Sequence, residues 1–312
     1  MVALSISLFD GFHLTHTAGP GKIDITPSLQ HLLAYLLIKR HRRQPRPVLA
    51  GLFWGDSSEE RARNCLSTAL WRLRNILEPE GIPKGTYLIT TASDEIGFNV
   101  DSDHWLDVAA FEENLVPILT EPIASMKPEN ADRLENAVEL YQGELLDGCY
   151  EDWAIRERER LRSLHLDGLI HLMGYYRHHQ LYDRAVSCGC TILEKEPLRE
   201  GIQRDVMRLF IESGQRERAI TQYQSCCRVL DEELGIGPME ETRQLYQQIL
   251  NGGCLSCQDL TTRLTTDHTP PEKTTGSEKA VQILYHAMKQ LDRSSKELRH
   301  AIGLLESLIK TH

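Results

Sequence analysis

No run of about 18 apolar residues occurs anywhere in this chain, which excludes a membrane-spanning helix. The opening Met1-Val2-Ala3-Leu4-Ser5 has neither the charged start nor the long apolar core of a secretory leader, so a soluble, cytoplasmic protein is expected. Signatures of catalysis are missing too. Gly-x-Ser-x-Gly and His-Glu-x-x-His do not occur, and Gly19-Pro20-Gly21-Lys22 lacks the spacing and the Ser/Thr of a phosphate loop. The 13 His are scattered, and His178-His179 falls at the end of a helical run, where solvation or capping accounts for it. Among 8 Cys there is a single CxxC, Cys254-x-x-Cys257, with no second pair or His couple to complete a zinc site. Cys188-x-Cys190 and Cys226-Cys227 sit inside helical patterns and serve as small hydrophobes. No enzyme, metal or cofactor is expected.

Net positive charge is also lacking: 35 Lys/Arg against 45 Asp/Glu leave the chain at −10. That balance speaks against nucleic acid only until it is divided along the sequence. Residues 22–74 hold ten Lys/Arg (22, 39, 40, 42, 43, 46, 61, 63, 72, 74) against four acids, a local +6. Residues 106–312 hold 24 against 34 and carry the acidity. A local basic patch is what sets an electrostatic footprint on nucleic acid. With 312 residues the chain accommodates two or three domains.

The basic segment has helical order. Leu52-Phe53-Trp54-Gly55-Asp56 leads into a run in which Ala62, Leu66, Ala69, Leu70, Leu73 and Leu77 recur at three- and four-residue spacing, one face of a helix over 60–77. The opposite face carries Arg63, Asn64, Ser67, Thr68, Trp71, Arg72 and Arg74, side chains able to bond phosphates and base edges. With Arg42, Arg43 and Arg46 from the preceding stretch, these are the candidate DNA-binding residues. Upstream, Leu4, Ile6 and Leu8 alternate before an Asp10-Gly11 turn, and Pro27–Ile38 is a helix pattern with Pro near its start. Tyr87–Thr91 and Ile96–Val100 are two β-like runs around Ser93-Asp94-Glu95. Strand pair, three helices and terminal hairpin is the order of a winged helix. Carboxylates at that hairpin tip disfavour contact with a phosphate backbone, so recognition is expected to rest on the helix.

Leu49-x-x-Leu52-Phe53-Trp54-Gly55-Asp56 followed by Ala62-Arg63-Asn64-x-Leu66-x-Thr68-x-x-x-Arg72-Leu73-Arg74 resembles the OmpR/PhoB-type DNA-binding domain, in the version of the streptomycete antibiotic regulatory protein (SARP) family. The resemblance covers residues 1–105. It implies a transcriptional activator that binds promoter DNA at direct repeats, with RNA polymerase and a second copy as partners.

Further along, Tyr176-x₈-Ala185-Val186 and Phe210-x₈-Ala219-Ile220 recur 34 residues apart, with Leu172 matched by Val206. That period, with an aromatic in the first helix and a small Ala in the second, is the tetratricopeptide spacing. A looser copy lies at Ala137–Tyr141, 48 residues before Ala185. Such units stack because none can bury its apolar face alone. Trp153 is expected in the repeat core, with Glu151 and Asp152 capping the helix that follows. Asp107–Glu112, Tyr141–Leu146, Glu151–Ala154, Glu196–Glu200 and Leu230-x-x-Glu233-Leu234-Gly235-Ile236-x-Pro238 resemble the bacterial transcriptional activator domain across 106–250. Residues 251–276, rich in Thr, Gly and Pro, read as a linker. In 277–312, Ala280, Leu284, Ala287, Leu291, Ser294, Leu298, Ala301, Leu305 and Leu308 keep a heptad spacing. That helix either self-associates, folds back on the repeats, or breaks into a hairpin at Asp292–Ser295.

The expected fold is therefore mainly α: an N-terminal winged helix, a tetratricopeptide-like solenoid and a C-terminal amphipathic helix. The expected function is sequence-specific DNA binding and transcriptional activation, in the cytoplasm at the nucleoid. A second interpretation, a repeat scaffold whose winged helix holds another protein, rests on the acidic hairpin tip and the overall charge.

Overall fold

The alternation that opens the chain becomes β1 (Leu4–Ser7), with Leu4 and Ile6 fully buried, paired antiparallel with β2 (His13–His16). Asp10 (φ 58) and Gly11 (φ 101) supply the consecutive left-handed residues that reverse the chain between them. This computed structural model describes residues 4–16, 21–23 and 25–251. The linker beyond 251 and the heptad segment lie outside the described residues.

β3 (Gly21–Lys22) pairs with β2, and the helix α1 follows at Pro27–Ile38, as the pattern predicts. β4 (Gln44–Pro45), α2 (Arg46–Trp54) and α3 (Glu59–Leu77) come next, then the hairpin β5 (Leu88–Thr90) and β6 (Glu95–Phe98). β7 (His104–Leu106) returns to lie parallel to β1, giving one sheet of order β3-β2-β1-β7 and a second of order β4-β6-β5. Glu78, at the end of α3, is buried and its carboxylate accepts the amides of Gly85, Tyr87 and Leu88 at 2.8–3.0 Å. It fixes where the hairpin leaves the helix.

The rest of the described chain is helical: α4 (Asp107–Leu119), α5 (Pro128–Leu140), α6 (Asp152–His178), α7 (Tyr182–Lys195), α8 (Glu200–Glu212), α9 (Arg216–Leu234) and α10 (Glu240–Leu250). Residues 1–253 make one compact unit in which this helical lobe packs against the winged-helix lobe.

The 34-residue period is structural. Gln180 (φ 59) and Gly214 (φ 76) occupy the same left-handed turn, closed by Leu181 N–H to Tyr176 O and Gln215 N–H to Phe210 O. Arg184 lies 4.6 Å over the Tyr176 ring and Arg218 lies 4.5 Å over the Phe210 ring, the same pairing one repeat on. Ala185 and Ala219 are fully buried where paired helices approach. Between repeats, a Cβ on Gly189 of α7 would overlap Val206 of α8. Gly189→Ala is thus expected to cost about 1–2 kcal/mol in urea unfolding, because overpacking outweighs the gain in helix propensity. An unchanged or raised midpoint would show that Val206 moves aside freely.

Trp153 corrects its expected place. It packs not within the repeats but across the lobes, edge-on to Tyr35 of α1 (5.2 Å) and near Phe53 of α2 (6.3 Å). Neither Glu151 nor Asp152 caps α6 through its side chain: the N-cap Glu151 makes no such bond, and Asp152 stands in the first turn. Nearby, Lys39 pairs with Glu157 and Arg40 with Glu112 at 2.7 Å, while Arg160 bridges both acids. Two of the ten cations in the basic segment therefore face the repeat lobe. The end of β1 is held as well. Asp107 accepts the amides of Leu8 (2.7 Å) and Phe9 (2.9 Å), and the Phe9 ring meets Phe111 edge-on and Tyr141 at a tilt.

Candidate nucleic-acid interface

α2, the turn Gly55–Ser58 and α3 form the helix-turn-helix. The buried residues of α3 are Ala62, Leu66, Ala69, Leu70, Leu73 and Leu77, the face expected from spacing. On the other side Arg63, Asn64, Ser67, Thr68, Trp71 and Arg72 are exposed, Trp71 at 64%. The Ser67 and Thr68 hydroxyls donate back to the Arg63 and Asn64 carbonyls, which leaves both oxygens to act as acceptors. Arg63 pairs with Glu59 one turn earlier, so its charge is partly answered within the helix.

The predicted arginines divide into three situations. Arg42 and Arg43 are exposed in the turn after α1, the stem of Arg43 lying over Gly97 of β6. Arg46, half-buried at the start of α2, donates to Ser67 Oγ (2.6 Å) and stands 3.6 Å from Asp94 at the hairpin tip. Arg74 is half-buried and donates to Thr90 of β5. Arg46 and Arg74 thus brace the hairpin against α3 from either side. The tip carboxylate of Asp94 is answered by Arg46 rather than left bare.

A cleft of about 490 Å³ runs between the start of α1 and α3, lined by Thr26, Ser28, Trp54, Ser58, Arg61, Asn64, Thr68 and Arg72, with one carboxylate, Glu60, at its edge in the first turn of α3. Arg61, Thr26 and Ser28 were not among the predicted residues. Arg61 was findable, since 61, 64, 68 and 72 follow helical steps of three and four. Thr26 and Ser28 were not, because only the tertiary fold brings the start of α1 beside α3. Hydroxyls, an amide and two unpaired guanidinium groups in one open cleft match the donors that bind phosphate and base edges. Among the described residues no group of His, Cys, Asp and Glu is arranged to hold a metal ion.

A winged helix joined to stacked helical repeats, with a polar and basic helix exposed, defines the class. The bacterial transcriptional activator domain model matches residues 106–250. Regulatory protein AfsR of Streptomyces coelicolor is 26% identical over 227 residues, 72% of this chain but 22% of AfsR. The chain thus spans about a fifth of that relative's length. Transcriptional regulatory protein MoaR1 of Mycobacterium tuberculosis is 26% identical over 255 residues, 77% of this chain and 76% of MoaR1. In fold, the chain is similar to Mycobacterium tuberculosis EmbR, solved in complex with a low affinity phosphopeptide, at TM-score 0.68 and 18% identity, over 83% of this chain and 68% of EmbR. Residues 106–250 thus match the bacterial transcriptional activator domain, the chain is similar in sequence to the transcriptional regulators AfsR and MoaR1, and it is similar in fold to EmbR.

Proposed function

We propose that this protein is a sequence-specific DNA-binding transcriptional regulator, an activator, that places α3 in the major groove of promoter DNA. The exposed face of α3 beside the α1 cleft carries this reading: Arg61, Asn64, Thr68, Trp71 and Arg72 project together from one rigid helix. The winged-helix lobe, residues 1–105, supplies recognition, while the repeat lobe, 106–250, supplies contacts to a second copy and to RNA polymerase. Two protomers on direct repeats set ~10–11 bp apart enter successive major grooves from one face of the duplex. Pairing raises the effective concentration of the second winged helix without a new base contact. Its place of action is the cytoplasm, at the nucleoid.

Fluorescence anisotropy against a random duplex at low salt tests the reading at its base, since a DNA binder shows affinity on the order of 10⁻⁴–10⁻⁶ M without any specific site. No binding there would favour a scaffold whose winged helix holds protein. For the placement of α3, Arg61→Ala together with Arg72→Ala is expected to weaken promoter binding and lower the salt slope by about one unit per lost phosphate contact. Arg74→Ala is a poorer probe, because Arg74 also holds Thr90. Affinity and slope unaltered in the double variant would mean that another surface meets the duplex.

A further inference from the structure

We propose that the cleft along α9 between Arg218 and Arg228 is a docking site for an acidic peptide segment, one of whose carboxylates meets Arg218 as Glu135 meets Arg184 one repeat earlier. The site lies outside the face assigned to DNA and is independent of it.

The two repeats share a pattern and differ at one point of it. In the first, Arg184 over the Tyr176 ring donates to Glu135 of α5 at 2.5 Å, and the Tyr176 hydroxyl donates to the same carboxylate. In the second, Arg218 lies over Phe210 in the same way, but Phe210 has no hydroxyl and the side chain that α7 contributes is Cys190. Cys188 stands close to Glu135 and Arg184. Its counterpart one period on, Gln222, instead lines an open cleft of about 610 Å³. The fold thus supplies a carboxylate to the first arginine and leaves the second to solvent.

The lining of the cleft suits a carboxylate from outside. It contains no acid, and both its arginines are exposed. Arg218 has a neutral partner, Gln215 Oε1 at 2.6 Å, and Arg228 has no hydrogen bond or ion pair within the described residues. Acids of the same helices do not answer them: Glu194, one turn past Cys190, forms no ion pair, nor do Glu217, Asp231 and Glu232. A guanidinium offers a carboxylate two parallel N–H donors, which makes it the better match for that group. Ten residues of helix separate the two arginines by roughly 15 Å along the axis. That is the span of four or five extended peptide residues, with Thr221 and Ser225 between the ends and Phe210 and Cys190 as apolar lining. One wall is fixed in advance, because the Gln222 amide donates to buried Gln203, which donates to Pro197 O at 3.1 Å. A duplex fits worse than a short segment. Residues 106–312 carry −10, which repels an extended phosphate backbone, whereas one or two carboxylates meet only the local cations.

The test selects octapeptides from a displayed random library on the full chain, then measures the enriched peptides by fluorescence polarisation without DNA. Enriched peptides are expected to carry two Asp/Glu, and replacing either with Asn/Gln should weaken binding. Arg218→Gln and Arg228→Gln are each expected to weaken binding about fivefold. Arg228 makes no bond within its own fold, so its loss does not act through unfolding, even if Arg218→Gln is destabilised by the lost contact with Phe210. Cys190→Glu, which sets a carboxylate beside Arg218 within the chain, is expected to abolish binding with no fall in the unfolding midpoint. Equal binding by the unsubstituted chain, Arg228→Gln and Cys190→Glu would overturn the proposal. So would a selection no richer in acids than one run on the Arg218→Gln/Arg228→Gln double variant. Self-association in sedimentation that this double variant loses, without peptide capture by the unsubstituted chain, would also overturn it and assign the cleft to contact between copies.

Discussion

Trp153→Ala is expected to lower the unfolding free energy by about 3–5 kcal/mol, the range for deleting a large buried aromatic. Trp153 is 4% exposed and fills the junction where α6 crosses α1 and α2. Its removal takes the partner from the faces of Tyr35 and Phe53 and leaves a void between lobes that only moving a helix can close. The indole N–H has no hydrogen-bond partner, so the loss is one of packing rather than of polar pairing. Trp153→Phe retains a ring against Tyr35 and should lose clearly less. Around the void, the pairs Lys39–Glu157 and Arg40–Glu112 persist, but such pairs rarely offset a cavity of that size. Chemical denaturation of both variants decides the matter: a loss below about 1 kcal/mol for Trp153→Ala would mean that the lobes close over the gap. The proposed DNA-binding face is tied to the same junction, because α2 carries both Phe53 and Arg46, and Arg46 reaches Ser67 on the exposed side of α3.

What was legible in the sequence depended on range. α1 stands at Pro27–Ile38 and the buried face of α3 is the one its spacing gives, since both follow from periodicity within one element. The 34-residue repeat was visible for the same reason, and the structure adds that it extends to the Arg184–Tyr176 and Arg218–Phe210 pairs. β3, β4 and β7 were not visible, because each has two or three residues and, unlike β5 within Tyr87–Thr91, sits in no longer β-like run. Trp153 was misplaced because a buried aromatic near a helix start says nothing of which distant helix covers it. The local charge of +6 was counted correctly but overstated the positive charge left unanswered: Lys39 and Arg40 pair with acids more than 70 residues away. At the interface, the exposed side of α3 could be listed from spacing, whereas the bracing of the hairpin by Arg46 and Arg74 needed the tertiary fold.

Asp107→Ala is expected to remove about 2–6 kcal/mol, because it leaves the amides of Leu8 and Phe9 buried without an acceptor at about 1–3 kcal/mol each. The carboxylate holds the end of β1 through Oδ2 and the Val108 amide through Oδ1, so one side chain ties the first strand to the start of α4. The same strand end makes Leu146 N–H to Leu8 O and Asp10 N–H to Glu144 O, and these bonds should loosen together with it. A pH signature accompanies the loss. Burial pushes the Asp107 carboxyl up to about 6, although the amides of Phe9, Leu8 and Val108 pull the other way. Its ordinary value in the unfolded chain lies near 3.9. A native state that binds this proton more tightly than the unfolded chain is favoured below about pH 4, and that advantage is lost as pH rises to about 6. The stability gap between the unsubstituted protein and Asp107→Ala should therefore be widest near pH 4, narrow through pH 6 and stay level above it. Urea titrations of both proteins across that window measure the gap directly. A gap that widens with rising pH would show that the three amides outweigh burial and that the ionised carboxylate is the form the junction prefers.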